Sequence, residues 1–238
     1  MNSIEILKDK IKKKATLMQI GGFRPDNDLL ASWFGRVNFC LPGEDWPTCN
    51  GMPMYALCQI NLTQLPYVPE SLNDLEFLVV FISPNEYPNN DTNGVNWCLR
   101  AYKKIEDLVP LKQIVTSSTI KEFQMRGIVI DEDYPCWEDF SDITLQDNLL
   151  ELTDELEEYY WDNLENVSGF KIGGWPTLIQ SEIYWAPYNQ HPAKPEYIFQ
   201  IDSTGKGNWM WGDNGVGYFG RGTKEGHEDE WTIEWQCY

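Results

Sequence analysis

The hexapeptides Ala56–Asn61 (ALCQIN) and Tyr197–Asp202 (YIFQID) share one pattern, 141 residues apart: apolar-Gln-Ile, then an amide or a carboxylate. Their surroundings match as well. Phe34-Gly35 and Gly51-Met52-Pro53 precede the first, and Ile172-Gly173 and Gly174-Trp175-Pro176 precede the second. A strand-like run follows each, Leu75–Ile82 (LEFLVVFI) and Gly215–Gly222 (GVGYFGRG). Two copies of one unit are too few for a solenoid, whose repeats bury their faces by stacking in series. They predict instead two degenerate, pseudo-symmetric halves of one globular domain spanning 1–238.

The rest of the chain fits around those halves. Ile4, Leu7, Ile11, Ala15 and Met18 keep helical spacing and predict an N-terminal helix over 3–18, with Ser3 as its cap. Pro, Gly and Asn then punctuate short apolar runs, which read as strands between turns from about 30 to 130, the first repeat. The run LEFLVVFI is apolar without alternation and predicts a strand buried on both faces. Between Asp131 and Glu165 the chain carries fourteen Asp or Glu and no Lys or Arg. Leu145, Leu149, Leu152, Leu156, Tyr159 and Tyr160 give that stretch an apolar helical face, so 131–168 reads as an acidic helical segment between the repeats. The second repeat is 169–238. The fold class is therefore α+β and strand-rich.

A formal net charge of −19 argues against nucleic acid and anionic membranes as partners, since both are bound through Lys and Arg. Taken alone it suits a chain that simply stays soluble, or a basic protein partner. The six Cys form no CxxC pair, and the chain has neither a signal-peptide pattern nor an apolar run of membrane-spanning length. Free, mostly buried thiols and a cytoplasmic location are the expectation. Among Lys8, Lys10, Lys12, Lys13 and Lys14 the simplest role is a solvated face, and the sharper one is pairing with the acidic segment.

The second-half order Gly174-Trp175-Pro176, Gln180, Phe199-Gln200-Ile201-Asp202 and Trp211-Gly212-Asp213-Asn214-Gly215 resembles the YwqG-like family. So do Gln59-Ile60-Asn61-Leu62 with Leu65-Pro66, and Leu41-Pro42-Gly43 with Trp46-Pro47. The resemblance runs over roughly 30–222. It implies a mixed, strand-rich fold in a widespread, mainly bacterial family without an assigned biochemical function, and carries over no catalytic residue.

Neither a phosphate-binding loop, a dinucleotide fingerprint nor a nucleophile elbow is present, and the only histidines are His191 and His227. No catalytic residue, metal or cofactor is assigned. A hydrolase would have to draw on Glu182, Asp202 and Asp213 beside Trp175, Trp185, Trp209 and Trp211. The favoured expectation is a non-enzymatic antidote, an immunity protein that covers the active site of a toxin domain. Its contact is placed on Glu151, Asp154, Glu155, Glu157, Glu158 and Asp162, with Tyr159, Tyr160 and Trp161 as anchors. The alternative is a small-molecule or peptide module using a polar pocket between the repeats, lined by Gln59, Asn61, Trp175, Gln180, Gln200, Asp202, Trp211 and Asp213. The simplest role for the two repeat glutamines is to satisfy turn backbone.

Overall fold

The computed structural model describes residues 3–137, 139–140, 153–183 and 191–238. Helix α1 is Ser3–Ile11. The strands of the two main sheets are β1 (Lys13–Gln19), β2 (Trp33–Phe34), β3 (Tyr55–Asn61), β4 (Phe77–Ile82), β5 (Trp97–Tyr102) and β6 (Phe123–Gln124). They continue with β7 (Arg126–Asp133), then helix α2 (Asp154–Asn163), β8 (Lys171–Gly173), β9 (Glu196–Asp202), β10 (Val216–Arg221) and β11 (Trp231–Gln236).

One sheet has the order β6-β2-β3-β4-β5 and the other β7-β1-β8-β9-β10-β11, with every neighbouring pair antiparallel. Apolar side chains of both sheets share one core. Leu78, Val80, Ile82 and Trp97 of the first meet Ile172, Phe199, Phe219 and Trp231 of the second, and Trp97 sits edge-on to Phe219 at 6.2 Å. The other face of β4, Phe77, Val79 and Phe81, is covered by a second cluster with Val37, Cys40, Met54 and Leu111. Both faces of β4 are thus removed from water, which is why its sequence never alternates.

Trp33 pairs with Gln59 and Lys171 with Gln200. A register shift falls between Ala56 and Cys58, and another between Tyr197 and Phe199. Two residues beyond Trp33 and Lys171, the chain turns through Gly35 at φ 69° and Gly173 at φ 75°. That region is open to glycine at little cost.

The predicted 3–18 helix stops at Ile11. The next residues form β1, which pairs with β7 on one side and β8 on the other. Ala15 and Thr16 are fully buried there, and Thr16 Oγ1 donates to the Tyr67 carbonyl at 2.7 Å. Filling a gap in the sheet outweighs a helical preference of a few tenths of a kcal/mol per residue. Lys13 and Lys14 accordingly lie in a strand. Lys14 pairs with Asp131 at 3.0 Å, and Lys8 and Lys12 approach Glu132 at 3.9 and 3.8 Å. The predicted positions Leu145, Leu149, Leu152, Glu151 and Trp185 lie outside the described residues. No disulfide joins the six cysteines among the described residues, and four of them are buried.

Candidate functional site

Helix α2 opens at Thr153, whose hydroxyl caps the Leu156 N–H at 3.2 Å. Leu156, Tyr160 and Leu164, one turn apart, pack with Leu7, Ile11, Tyr134 and Phe140. This seats the acidic helix on α1. Tyr160 is therefore a core residue, 3% exposed, with its hydroxyl donating to the Pro135 carbonyl at 2.8 Å. The expectation that it anchors a partner fails for that reason. Tyr159 is half-buried. Trp161 faces out, 62% exposed, stacked on Trp137 at 5.9 Å. Asp154, Glu157, Glu158 and Asp162 are exposed along the same helix. Nothing is described of the Glu155 side chain.

Between α2 and the segments 136–137, 164–166 and 177 lies a groove of about 620 Å³. Trp137, Tyr160 and Leu164 give it apolar walls, and Asp162 and Glu165 an acidic rim. No Lys, Arg or His is among its described lining residues. The Asn166 amide donates to the Tyr134 and Pro176 carbonyls at 2.8 and 3.1 Å, while its buried Oδ1 has no partner among the described residues.

The pocket predicted between the repeats does not assemble. Gln59 accepts from the Asn38 N–H at 2.8 Å and donates to the Leu29 and Ala31 carbonyls at 2.8 and 2.7 Å. Gln200 accepts from the Thr177 N–H at 2.8 Å and donates to the Gly169 carbonyl at 3.0 Å. Each serves loop backbone beside its own strand. Asn61 does likewise, donating to the Leu30 carbonyl and accepting from the Thr63 N–H. Gln180 is exposed, and its N–H donates to Gln236 Oε1 at 3.1 Å. Gln236, which the sequence did not single out, is the buried amide that holds 179–181. Trp175 donates through Nε1 to the Ile11 carbonyl at 2.7 Å, with Lys13 Nζ 3.5 Å above its ring. Trp211 is fully buried, whereas Asp213 and Glu182 are exposed.

Asp202 alone of that set lines an inter-sheet cavity, about 300 Å³, together with Phe34, Phe170 and Ser203. Its oxygens accept from Gln200 Nε2 and the Gly169 N–H, each at 2.9 Å. Burial pushes its carboxyl above the ordinary range, against those two hydrogen bonds.

Sequence reasoning missed the most buried polar pair. Lys171 Nζ lies 2.9 Å from Asp133 Oδ2, both side chains wholly buried. Asp133 also accepts the Trp175 N–H at 2.7 Å and the Val167 N–H at 2.8 Å. Gly174, at φ 70°, passes so close that a Cβ there would fall 2.2 Å from Asp133 Oδ2. The double glycine before Trp175 is thus explained by the carboxylate it wraps. The visible signal was a lone cation inside the apolar stretch Gly169–Pro176.

These features define an antiparallel two-sheet protein with an acidic helix, and an aromatic groove, laid against one side. The chain belongs to the family described as a domain of unknown function (DUF1963), which it matches over residues 32–237. No curated protein matches the chain. Among the described residues no helix is long and apolar enough to cross a membrane.

Proposed function

We propose that this protein is a non-enzymatic, acidic interaction protein of the immunity type, which binds a basic toxin domain in the cytoplasm through the α2 face and covers its active site. The observation that carries the reading is Trp161, a large aromatic left 62% exposed at a groove whose described lining holds no cation. An exposed tryptophan beside an apolar groove is the residue type that most often dominates binding energy. Carboxylates around it would speed encounter with a basic cleft and turn other acidic proteins away.

The reading takes the two sheets as a duplicated unit, supported by the shared register shifts, the matched glutamines and the equivalent positive-φ glycines. It also keeps the YwqG-like resemblance. A second reading, a small-molecule module, is favoured by one observation, the Asp202 carboxylate on the inter-sheet cavity.

The test is capture of partners from native cell extract at low and at moderate salt, with wild type, Trp161→Ala and the triple change Glu157, Glu158 and Asp162→Lys. A stoichiometric basic partner that salt releases and both variants lose is expected. A partner held equally by all three proteins at either salt would refute the placement.

A further inference from the structure

The chain has five arginines against 37 acidic residues. Three are taken by carboxylates. Arg36 meets Glu122 at 3.4 Å, Arg100 meets Glu44 at 3.7 Å, and Arg221 grips Asp74 with both terminal nitrogens, at 2.6 and 2.8 Å. The remaining two, Arg24 and Arg126, have no carboxylate partner among the described residues. Both line the same pocket, about 250 Å³, beside β6.

The pocket is organised to hold them ready. Arg126 lies over the Phe23 ring at 5.0 Å and gives one nitrogen to Gln19 Oε1 at 2.9 Å, leaving its other donors without partners among the described residues. Arg24 spends none. The floor contains two buried polar side chains, Gln124 and Ser32. Ser32 Oγ accepts from the Asn61 N–H at 3.0 Å, so its hydroxyl hydrogen remains to donate. One carboxylate lines the pocket, Asp26, and it is already committed. Its Oδ1 accepts Gln124 Nε2 at 2.6 Å and the Asp28 N–H at 3.0 Å, and these bonds hold its carboxyl below the ordinary range. Two guanidiniums and one tied carboxylate line the pocket, and the next carboxylate out, Asp28, is tied as well, accepting from Gln64 Nε2 at 3.1 Å and the Leu30 N–H at 2.9 Å. The distant carboxylates are screened beyond about 8–10 Å at physiological salt, whereas guanidiniums in contact with a ligand are not.

We propose that this pocket is a binding site for a small oxyanion, the carboxylate or phosphate group of a metabolite. Arg126 supplies a preset fork, Arg24 a second guanidinium in the same lining, and Ser32 a buried hydroxyl donor. Planar guanidinium forks match both oxyanions in two-point geometry, which lysine would not. The site is independent of the α2 face, so failure of either reading leaves the other standing.

Isothermal titration and amide NMR with citrate and with inorganic phosphate, against chloride at matched ionic strength, test it. One saturable site is expected, with shifts at Ser32, Gln124 and Arg126. Preference for citrate or phosphate identifies the oxyanion. Arg24→Gln and Arg126→Gln should each weaken binding roughly tenfold, the loss of one charge-assisted contact. Lys103→Gln, an exposed cation outside the pocket, should leave it unchanged. Both arginines are exposed, so the variants keep the fold, checked by their melting temperatures. Binding that is unsaturable, that survives both arginine changes, or that falls equally with Lys103→Gln overturns the proposal.

Discussion

Removing the Asp133 carboxylate should be the most damaging single change in the second sheet. Asp133→Ala strands the Lys171 ammonium in a site with no exposed surface and orphans the Val167 and Trp175 N–H groups. Breaking a buried pair from one side costs about 3–5 kcal/mol, before any cost of the two N–H groups. That is much of the roughly 5–15 kcal/mol by which domains are stable. Lys171→Met is milder, because the carboxylate keeps two backbone donors, and about 2 kcal/mol is the expected loss. The double variant Asp133→Ala/Lys171→Met should be more stable than Asp133→Ala alone, since the stranded charge is gone. Urea unfolding followed by tryptophan fluorescence gives the three values, provided the slopes agree. Equal costs for the two single changes, or simple addition in the double, would refute the reasoning. The pH arm has a definite sign. Burial lowers the Lys171 pKa, with Asp133 opposing, so the unfolded chain holds that proton more tightly. Stability linked to Lys171 is fully present above its unfolded value of 10.5 and is lost as pH falls through the folded value. Wild type should gain on Lys171→Met as the pH is raised from neutral.

Three further outcomes follow from single contacts. Gly174→Ala should destabilise by at least about 2 kcal/mol more than Gly43→Ala in thermal unfolding; both have positive φ, but only Gly174 meets the Asp133 carboxylate, while Gly43 has nothing within 4 Å. Gln59→Leu and Gln200→Leu should each lose about 2–4 kcal/mol in urea unfolding, since each strands a backbone N–H and a carbonyl oxygen. For Asp202 the folded pKa is raised, so its contribution is fully present below the unfolded value of 3.8 and is lost as pH rises through the folded value. The stability of wild type relative to Asp202→Asn should therefore fall between acid and neutral pH, and a difference independent of pH would contradict the burial of that carboxyl.

What the sequence disclosed depended on whether the deciding contact was local. LEFLVVFI announced β4 because burial on both faces leaves no room for polar alternation. The helix reading of 3–18 failed because the partners of β1 are β7 and β8, more than a hundred residues away, and no local period reports them. Gln180 was drawn into the pocket by its nearness to Gly174-Trp175-Pro176, while the amide that holds that loop, Gln236, arrives from the far edge strand. Tyr160 is different, because its position could have been worked out. Leu156, Tyr160 and Leu164 recur every fourth residue, which places them on one helical face, and a helix carrying this much charge must turn that face inward. The same phase throws Trp161 outward with Glu157, Glu158 and Asp162. Of the three aromatics in Tyr159-Tyr160-Trp161, the helix period alone selects the one turned to solvent. Removing Tyr160 should therefore cost stability, and removing Trp161 should cost binding.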